Sequence, residues 1–183
     1  MQRRAERFFL GVGRYTPNSA LEGELGWKTP EHRHWISVFR LWFRLRDMDR
    51  NRINHHVFAW SLNCTRAGLK NWGSRVKGML VKLDMLHIFD VNSELNSKGC
   101  IKDLDNVLQE FYFRNWHNSV NNNISKSGKG GNKLRTYALF KDNCTAEPYV
   151  SQVMNKQSRG ALAKFRCGVA PLKIELGRYS SLK

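Results

Sequence analysis

Three arginines in this sequence, Arg33, Arg40 and Arg44, stand seven and four residues apart. In an α-helix, at about 100° per residue, that spacing brings them within roughly 20° of one line. Such a row of fixed positive charge suits the phosphates of a polyanion. Lys133, Arg135, Lys164 and Arg166 offer a second cationic row, and Lys126 and Lys129 add charge in the Gly-rich stretch before it. Arg and Lys neutralise phosphates and position a nucleic acid without reading its bases. The plainer reading of either row is a solvated helix face.

Other chemistries find less support. Asp47-Met48-Asp49 and Asp103-Leu104-Asp105 each pair two carboxylates, as metal-dependent enzymes do. Each pair also sits where a helix start favours acids, which explains it without catalysis. There is no Asp-Asp doublet and no Ser-centred nucleophile elbow. His32 and His34, like His55 and His56, do not point to one side of a helix, and no Cys stands near them at finger spacing. Ser127-Gly128-Lys129-Gly130-Gly131 lacks the first Gly and the final Ser/Thr of a phosphate loop, and Gly11-Val12-Gly13 lacks the third Gly of a dinucleotide fingerprint. Both read as turns. No catalytic residue, metal or cofactor is expected.

The elements that must carry these residues read as helices separated by polar punctuation. Residues 2–10 end a helix before Gly11. Thr16-Pro17 and Thr29-Pro30 supply two start signals, and Gly26 closes the first of those helices. From Pro30 to about Met48, Trp35, Val38, Phe39, Trp42 and Leu45 fall in one arc, which places the arginine row on the opposite side. Asp49 is the expected N-cap of a helix buried through Ile53, Val57, Trp60 and Cys64. A further helix, Leu69 to Leu83, follows. Residues 90–100 read as a loop, and Ile101 to about Trp116 as a helix. Residues 118–132 read as a linker, with helices near 133–141, 148 and 157–167 beyond it. Leu172, Ile174 and Leu176 alternate with Lys173 and Glu175, as a short strand or an extended tail does. The expected fold is all-α, an irregular bundle of about six to eight helices. The expected modules are residues 1–117 and 133–183.

Composition supports a folded, nucleic-acid-facing protein. Hydrophobic residues make up 41% of the chain and there are six Trp, which argues against intrinsic disorder. The chain holds 31 Lys+Arg against 15 Asp+Glu, a net charge of +16. So large an excess opposes compaction unless a polyanion offsets it. Residues 121–183 hold 12 basic and 3 acidic side chains, the steepest excess of any third. No apolar stretch approaches the ~20 residues of a membrane span, and no apolar core follows the basic N-terminus as a secretory leader requires. Four dispersed Cys are expected to be reduced thiols in an intracellular, nuclear or cytoplasmic, protein. The sequons at Asn63, Asn123 and Asn143 then carry no glycan.

Several segments together resemble the region downstream of the polymerase domain in reverse transcriptases of non-LTR, LINE-type retrotransposons. They are Arg7-Phe8-Phe9-Leu10-Gly11-Val12-Gly13-Arg14-Tyr15-Thr16-Pro17-Asn18, Gly23-Glu24-Leu25-Gly26-Trp27 and the Arg40–Arg46 helix. Farther on come Lys133-Leu134-Arg135-Thr136-Tyr137, Leu139-Phe140-Lys141, Glu147-Pro148-Tyr149, Arg159 to Gly168, and Ile174-Glu175 with Gly177-Arg178-Tyr179. The resemblance covers most of the chain outside residues 85–100, and the order of the motifs carries it more than any one of them. The family's paired catalytic aspartates lie upstream of the part resembled, and a Cys/His cluster common in the family lies past Arg178-Tyr179. Neither is in this sequence, so the resemblance implies neither polymerase activity nor zinc binding here. It implies a non-catalytic helical region that grips template RNA or target DNA, with the upstream polymerase domain as a further partner. The alternative is a protein-interaction module using exposed aromatic helix faces. A standalone nuclease would need clustered acids, which are not found.

Overall fold

Pro30, with no N–H to leave unsatisfied, opens a helix in the computed structural model of this protein, and helix is the one regular structure among the described residues. Those residues are 2–90, 95–122 and 134–171, without the side chains of Asn122 and Arg135. In chain order the helices are α1 (Gln2–Leu10), α2 (Asn18–Leu25), α3 (Pro30–Arg46), α4 (Ile53–Arg66), α5 (Trp72–Lys82), α6 (Ser97–Asn122), α7 (Arg135–Ala138), α8 (Pro148–Ser151) and α9 (Lys156–Arg166). A 3-10 turn, Leu86–Phe89, follows α5. The all-α expectation holds. The alternating segment 172–176 lies outside the described residues. So does most of the expected linker, whose first residues, 118–122, instead continue α6. The chain forms two compact units, Met1–Thr29 with Tyr112–Lys183, and Pro30–Phe111. These boundaries differ from the modules read from composition.

In the unit Pro30–Phe111, α3 buries His32, Ile36, Phe39, Trp42 and Phe43. Of the apolar face expected from spacing, only Phe39 and Trp42 are fully inside; Trp35, Val38 and Leu45 are half-buried. The buried stripe is therefore turned toward the arginines, which stand roughly at a right angle to it rather than opposite. Trp42 is the centre of an aromatic cluster. Its ring centroid lies 5.0 Å from Phe58, 5.0 Å from Phe89 and 5.7 Å from Trp72, within the range where aromatic pairs add to plain burial.

Helix α4 departs most from expectation. It buries Phe58, Leu62 and Thr65, while Ile53 is 76% exposed, Val57 57% and Trp60 68%. The helix carries two apolar stripes, and spacing alone does not say which meets a core; Trp42 is the partner that selects Phe58. Asp49 does not cap α4. Its carboxylate accepts the Asn51 N–H at 2.9 Å in a turn before the helix, and Arg52 occupies the N-cap position. Helix α5 starts at Trp72 rather than Leu69 because Asn71 and Ser74 form a capping box. Gly73 allows the two helices to approach, since a Cβ there would lie 2.6 Å from Thr65 Oγ1.

The other unit is organised around α2, whose Ala20, Leu21, Gly23, Glu24 and Leu25 are all buried. Leu21 and Leu25 join Leu10, Val12, Tyr149 and Ala163 in one apolar cluster. Ala20 joins Trp116, Val120, Leu134, Tyr137 and Cys167 in another. A helix packed on both sides needs a close approach somewhere. Gly23 provides it, as a Cβ at that position would lie 2.1 Å from Tyr137 Oη. Gly26 ends the helix in the left-handed region, φ 60°, donating its N–H to Glu22 O, as a helix-terminating Gly does. The Thr16 start signal is displaced by one residue: Pro17 takes the N-cap position and Asn18 is the first helical residue.

Candidate nucleic-acid interface

Arg33, Arg40 and Arg44 all lie exposed on α3. The side chains of Arg40 and Arg44 make no hydrogen bond or ion pair with any described residue. Arg46, one helical turn from Phe43, is different. Its side chain is nearly buried and it donates to Asp47, to Leu95 O and to Ser97 Oγ while lying over the Phe43 ring. Asp47 in turn accepts from Ser97 as well. Burial would raise the Asp47 carboxyl, but the Ser97 and Arg46 bonds outweigh it and hold it below its ordinary value. So α3 ends in one anchored guanidinium and presents others to solvent.

The second expected row does not form as read. Lys126, Lys129 and Lys133 lie outside the described residues, and Arg135 is placed only as the first residue of α7. On α9, Lys164 is exposed, but Arg166 is turned inward. Two residues apart on a helix means about 200°, so these two cannot share a face. Arg166 Nε donates to both carboxylate oxygens of Glu24, at 3.2 and 3.0 Å, and Nη2 stands 3.0 Å from Glu147 Oε2. Burial opposes the Arg166 charge, yet Glu24 and Glu147 more than compensate and raise its pKa. Arg166 is therefore a structural cation and not a phosphate ligand.

Around it is a buried polar network. Tyr149 Oη donates to Glu24 Oε2 at 2.5 Å. Lys141, 4% exposed, donates to Thr145 O and to Glu147. The Glu147 N–H reaches Glu24 O at 2.9 Å. Charge is balanced inside the network: two carboxylates, one guanidinium and one ammonium. Glu24, Lys141, Glu147, Tyr149 and Arg166 thus meet in one place whose chemistry is cohesion. Spacing could not reveal this, because their sequence separation exceeds any local period.

A denser cationic stretch of the sequence was missed. From Arg50 to Leu83 the chain has seven basic residues and no Asp or Glu. Arg50, Arg52, Arg66, Lys70, Arg75, Lys77 and Lys82 are all exposed, and none is ion-paired with a described residue. Counting charge by thirds hid this run, because Asp47 and Asp49 before it and Asp84 and Asp90 after it diluted the total. A window of helix-hairpin length would have found it.

Two of the histidines considered for metal chemistry have partners of their own. His32 Nε2 lies 2.6 Å from Asp105 Oδ1, and His55 Nδ1 lies 3.3 Å from Leu45 O. Among the described residues no three His, Cys, Asp or Glu side chains gather as a metal site would need, and no helix is long and apolar enough to cross a membrane. Compared with family models, with curated proteins and with solved structures, the chain gives no match in any of the three.

Proposed function

We propose that this protein is a non-catalytic, nucleic-acid-binding helical module of the kind that follows the polymerase region in LINE-type reverse transcriptases. It holds RNA or DNA by its phosphates, inside the cell, where its four unpaired thiols are stable. The observation that carries the reading is the set of guanidinium groups on α3: Arg40 and Arg44 stand exposed and without acidic partners among the described residues, in a chain of net charge +16. Charges kept free in this way are available to displace counterions from a phosphate backbone. Asp47, Asp49 and Asp105 support the non-catalytic part, being engaged by the Arg46 and Ser97 side chains, in an Asx turn with Asn51, and by His32.

Titration against salt tests it. With ~6 phosphate contacts, affinity for labelled duplex DNA falls by ~10³-fold between 50 and 200 mM salt. Changing Arg33, Arg40 and Arg44 together to Ala reduces the slope of log K against log salt by ~0.9 per phosphate no longer neutralised. A binding curve insensitive to salt would overturn the reading.

A further inference from the structure

We propose that the seam between α1 and α9 binds phosphates, so that each of the two units carries its own contact to the nucleic acid. The proposal rests on the nucleic-acid reading above and adds a second site to the one on α3.

The two helices approach closely at a pair of glycines: a Cβ at Gly11 would lie 3.2 Å from Gly160 Cα. Arg159 fixes the approach. Its Nε donates at 3.0 Å to Phe9 O, one of the carbonyls that a helix end leaves unpaired, and its guanidinium lies 4.6 Å from the Phe9 ring centroid. Beside it, Lys156 Nζ lies 4.4 Å from the centroid of Phe8, a ring left 73% exposed. Arg4, also exposed, stands one turn earlier on α1 and roughly 40° from Phe8. Lys156, Gly160 and the exposed Lys164 follow one i, i+4 ridge of α9. Contacts run in the same order along both helices, Phe8 with Lys156, Phe9 with Arg159 and Gly11 with Gly160. Arg4 therefore precedes the contact and Lys164 lies beyond it. The side chains of Arg4, Lys156 and Lys164 make no hydrogen bond or ion pair with any described residue.

The acids of the same unit point elsewhere. Glu6 lies on α1 roughly 160° from both Arg4 and Phe8, fully buried and held by Gln2 and Arg3. Glu22 is paired with Arg3, and Glu24 and Glu147 with Arg166. Among the unit's described residues, the exposed charges are Arg4, Arg14, Lys28, Arg114, Lys156 and Lys164 against Asp142 alone. Carboxylates neutralised inside leave the outer cations free to displace counterions from phosphates. A membrane surface fits less well. An interfacial helix buries a broad apolar face, whereas the exposed residues of α1 are Arg4, Ala5 and Phe8. Phe8 serves instead to seat the Lys156 ammonium on the seam.

Fluorescence anisotropy of a labelled DNA duplex, titrated with the full chain at several salt concentrations, tests the seam. Changing Arg4, Lys156 and Lys164 together to Ala reduces the magnitude of the slope of log K against log salt by ~2.7, or ~0.9 for each phosphate no longer neutralised. Arg114→Ala removes one charge from α6 in the same unit and leaves the slope as it was. Phe8→Leu keeps every charge, and therefore the slope, but frees the ammonium and lowers affinity by ~2- to 5-fold. All these side chains are exposed, so an unchanged urea midpoint establishes that the variants fold. If the seam variant keeps the wild-type slope while the α3 variant lowers it, the seam is refuted and nucleic-acid binding stands. If Arg114→Ala shifts the slope as much per charge as the seam variant, the effect is diffuse and the seam is likewise refuted. If the duplex fails to bind even at about 50 mM salt, the functional reading itself fails. If the seam variant loses affinity for phosphatidylserine vesicles but not for the duplex, the seam serves a membrane and the proposal is overturned.

Discussion

Lys164 and Arg166 look alike in the sequence and do opposite things. Lys164 is exposed on α9, whereas the Arg166 side chain, 17% exposed, faces the fully buried carboxylate of Glu24. Removing one member of a buried ion pair leaves the other desolvated and uncompensated, which commonly destabilises by ~3–5 kcal/mol. Arg166→Met is therefore expected to lower stability by ~3 kcal/mol, at the lower end because Arg166 keeps some contact with water. Lys164→Ala should change it by less than ~0.5 kcal/mol. Urea midpoints with an unchanged m-value check both. Equal midpoints for the two variants would show that the Glu24 pairing is not a keystone. On the proposed function the order reverses for binding: Lys164→Ala is expected to weaken nucleic-acid affinity at stability close to wild type.

Helices were legible where pattern and punctuation agreed, and faces were not. Pro30, Gly26 and the apolar recurrence from Trp35 onward placed α3 and the end of α2. The start of α5 escaped because its cap is a reciprocal side-chain bond. Asn71 Oδ1 accepts the Ser74 N–H, and Ser74 Oγ accepts the Asn71 N–H, each at 2.9 Å. Asn71 Nδ2 also donates to Ser61 O at 2.7 Å, and Thr65 donates to Asn71 Oδ1 at 2.7 Å. One amide thus joins the end of α4 to the start of α5. Asn71→Ala is expected to cost more than the ~1 kcal/mol of an ordinary cap, about 2 kcal/mol, since the cap and an interhelical bond disappear together. Asn71→Asp keeps the acceptor and should recover about half. Thermal denaturation of the two variants checks this, and an equal loss in both would show that the donor to Ser61 dominates. The buried face of α4 and the role of Arg166 were illegible for a shared reason. Each depends on which distant residue arrives, Trp42 for α4 and Glu24 for Arg166, and no local period encodes that.

Among the described residues, the phenols and thiols whose ionisation is opposed, Tyr137, Tyr149, Cys144 and Cys167, all belong to one unit. Burial, then the nearby Glu24 charge, raises the pKa of Tyr137. Tyr149 is raised by burial and by its hydrogen bond to Glu24, and Cys167 by burial and Glu24. Burial and Glu22 push Cys144 up to about 11. For each, the unfolded chain releases its proton first, so above the ordinary values of 9.0 for thiols and 10.0 for phenols the unfolded state binds fewer protons. Stability is then flat through neutral pH and falls as pH rises past about 9. An opposing effect exists, because Lys deprotonation relieves the self-repulsion of a chain with pI near 10.1. Added salt separates the two. At 1 M the Debye length is ~3 Å, repulsion is screened, and the remaining alkaline loss belongs to the buried thiols and phenols. Hydrogen exchange at pH 9–10 in high salt should therefore show amides of 2–29 and 134–171 losing protection before those of 30–90. Uniform loss along the chain would mean that the two units unfold as one, and a rise in protection would mean that charge relief, not buried ionisation, governs the alkaline limb.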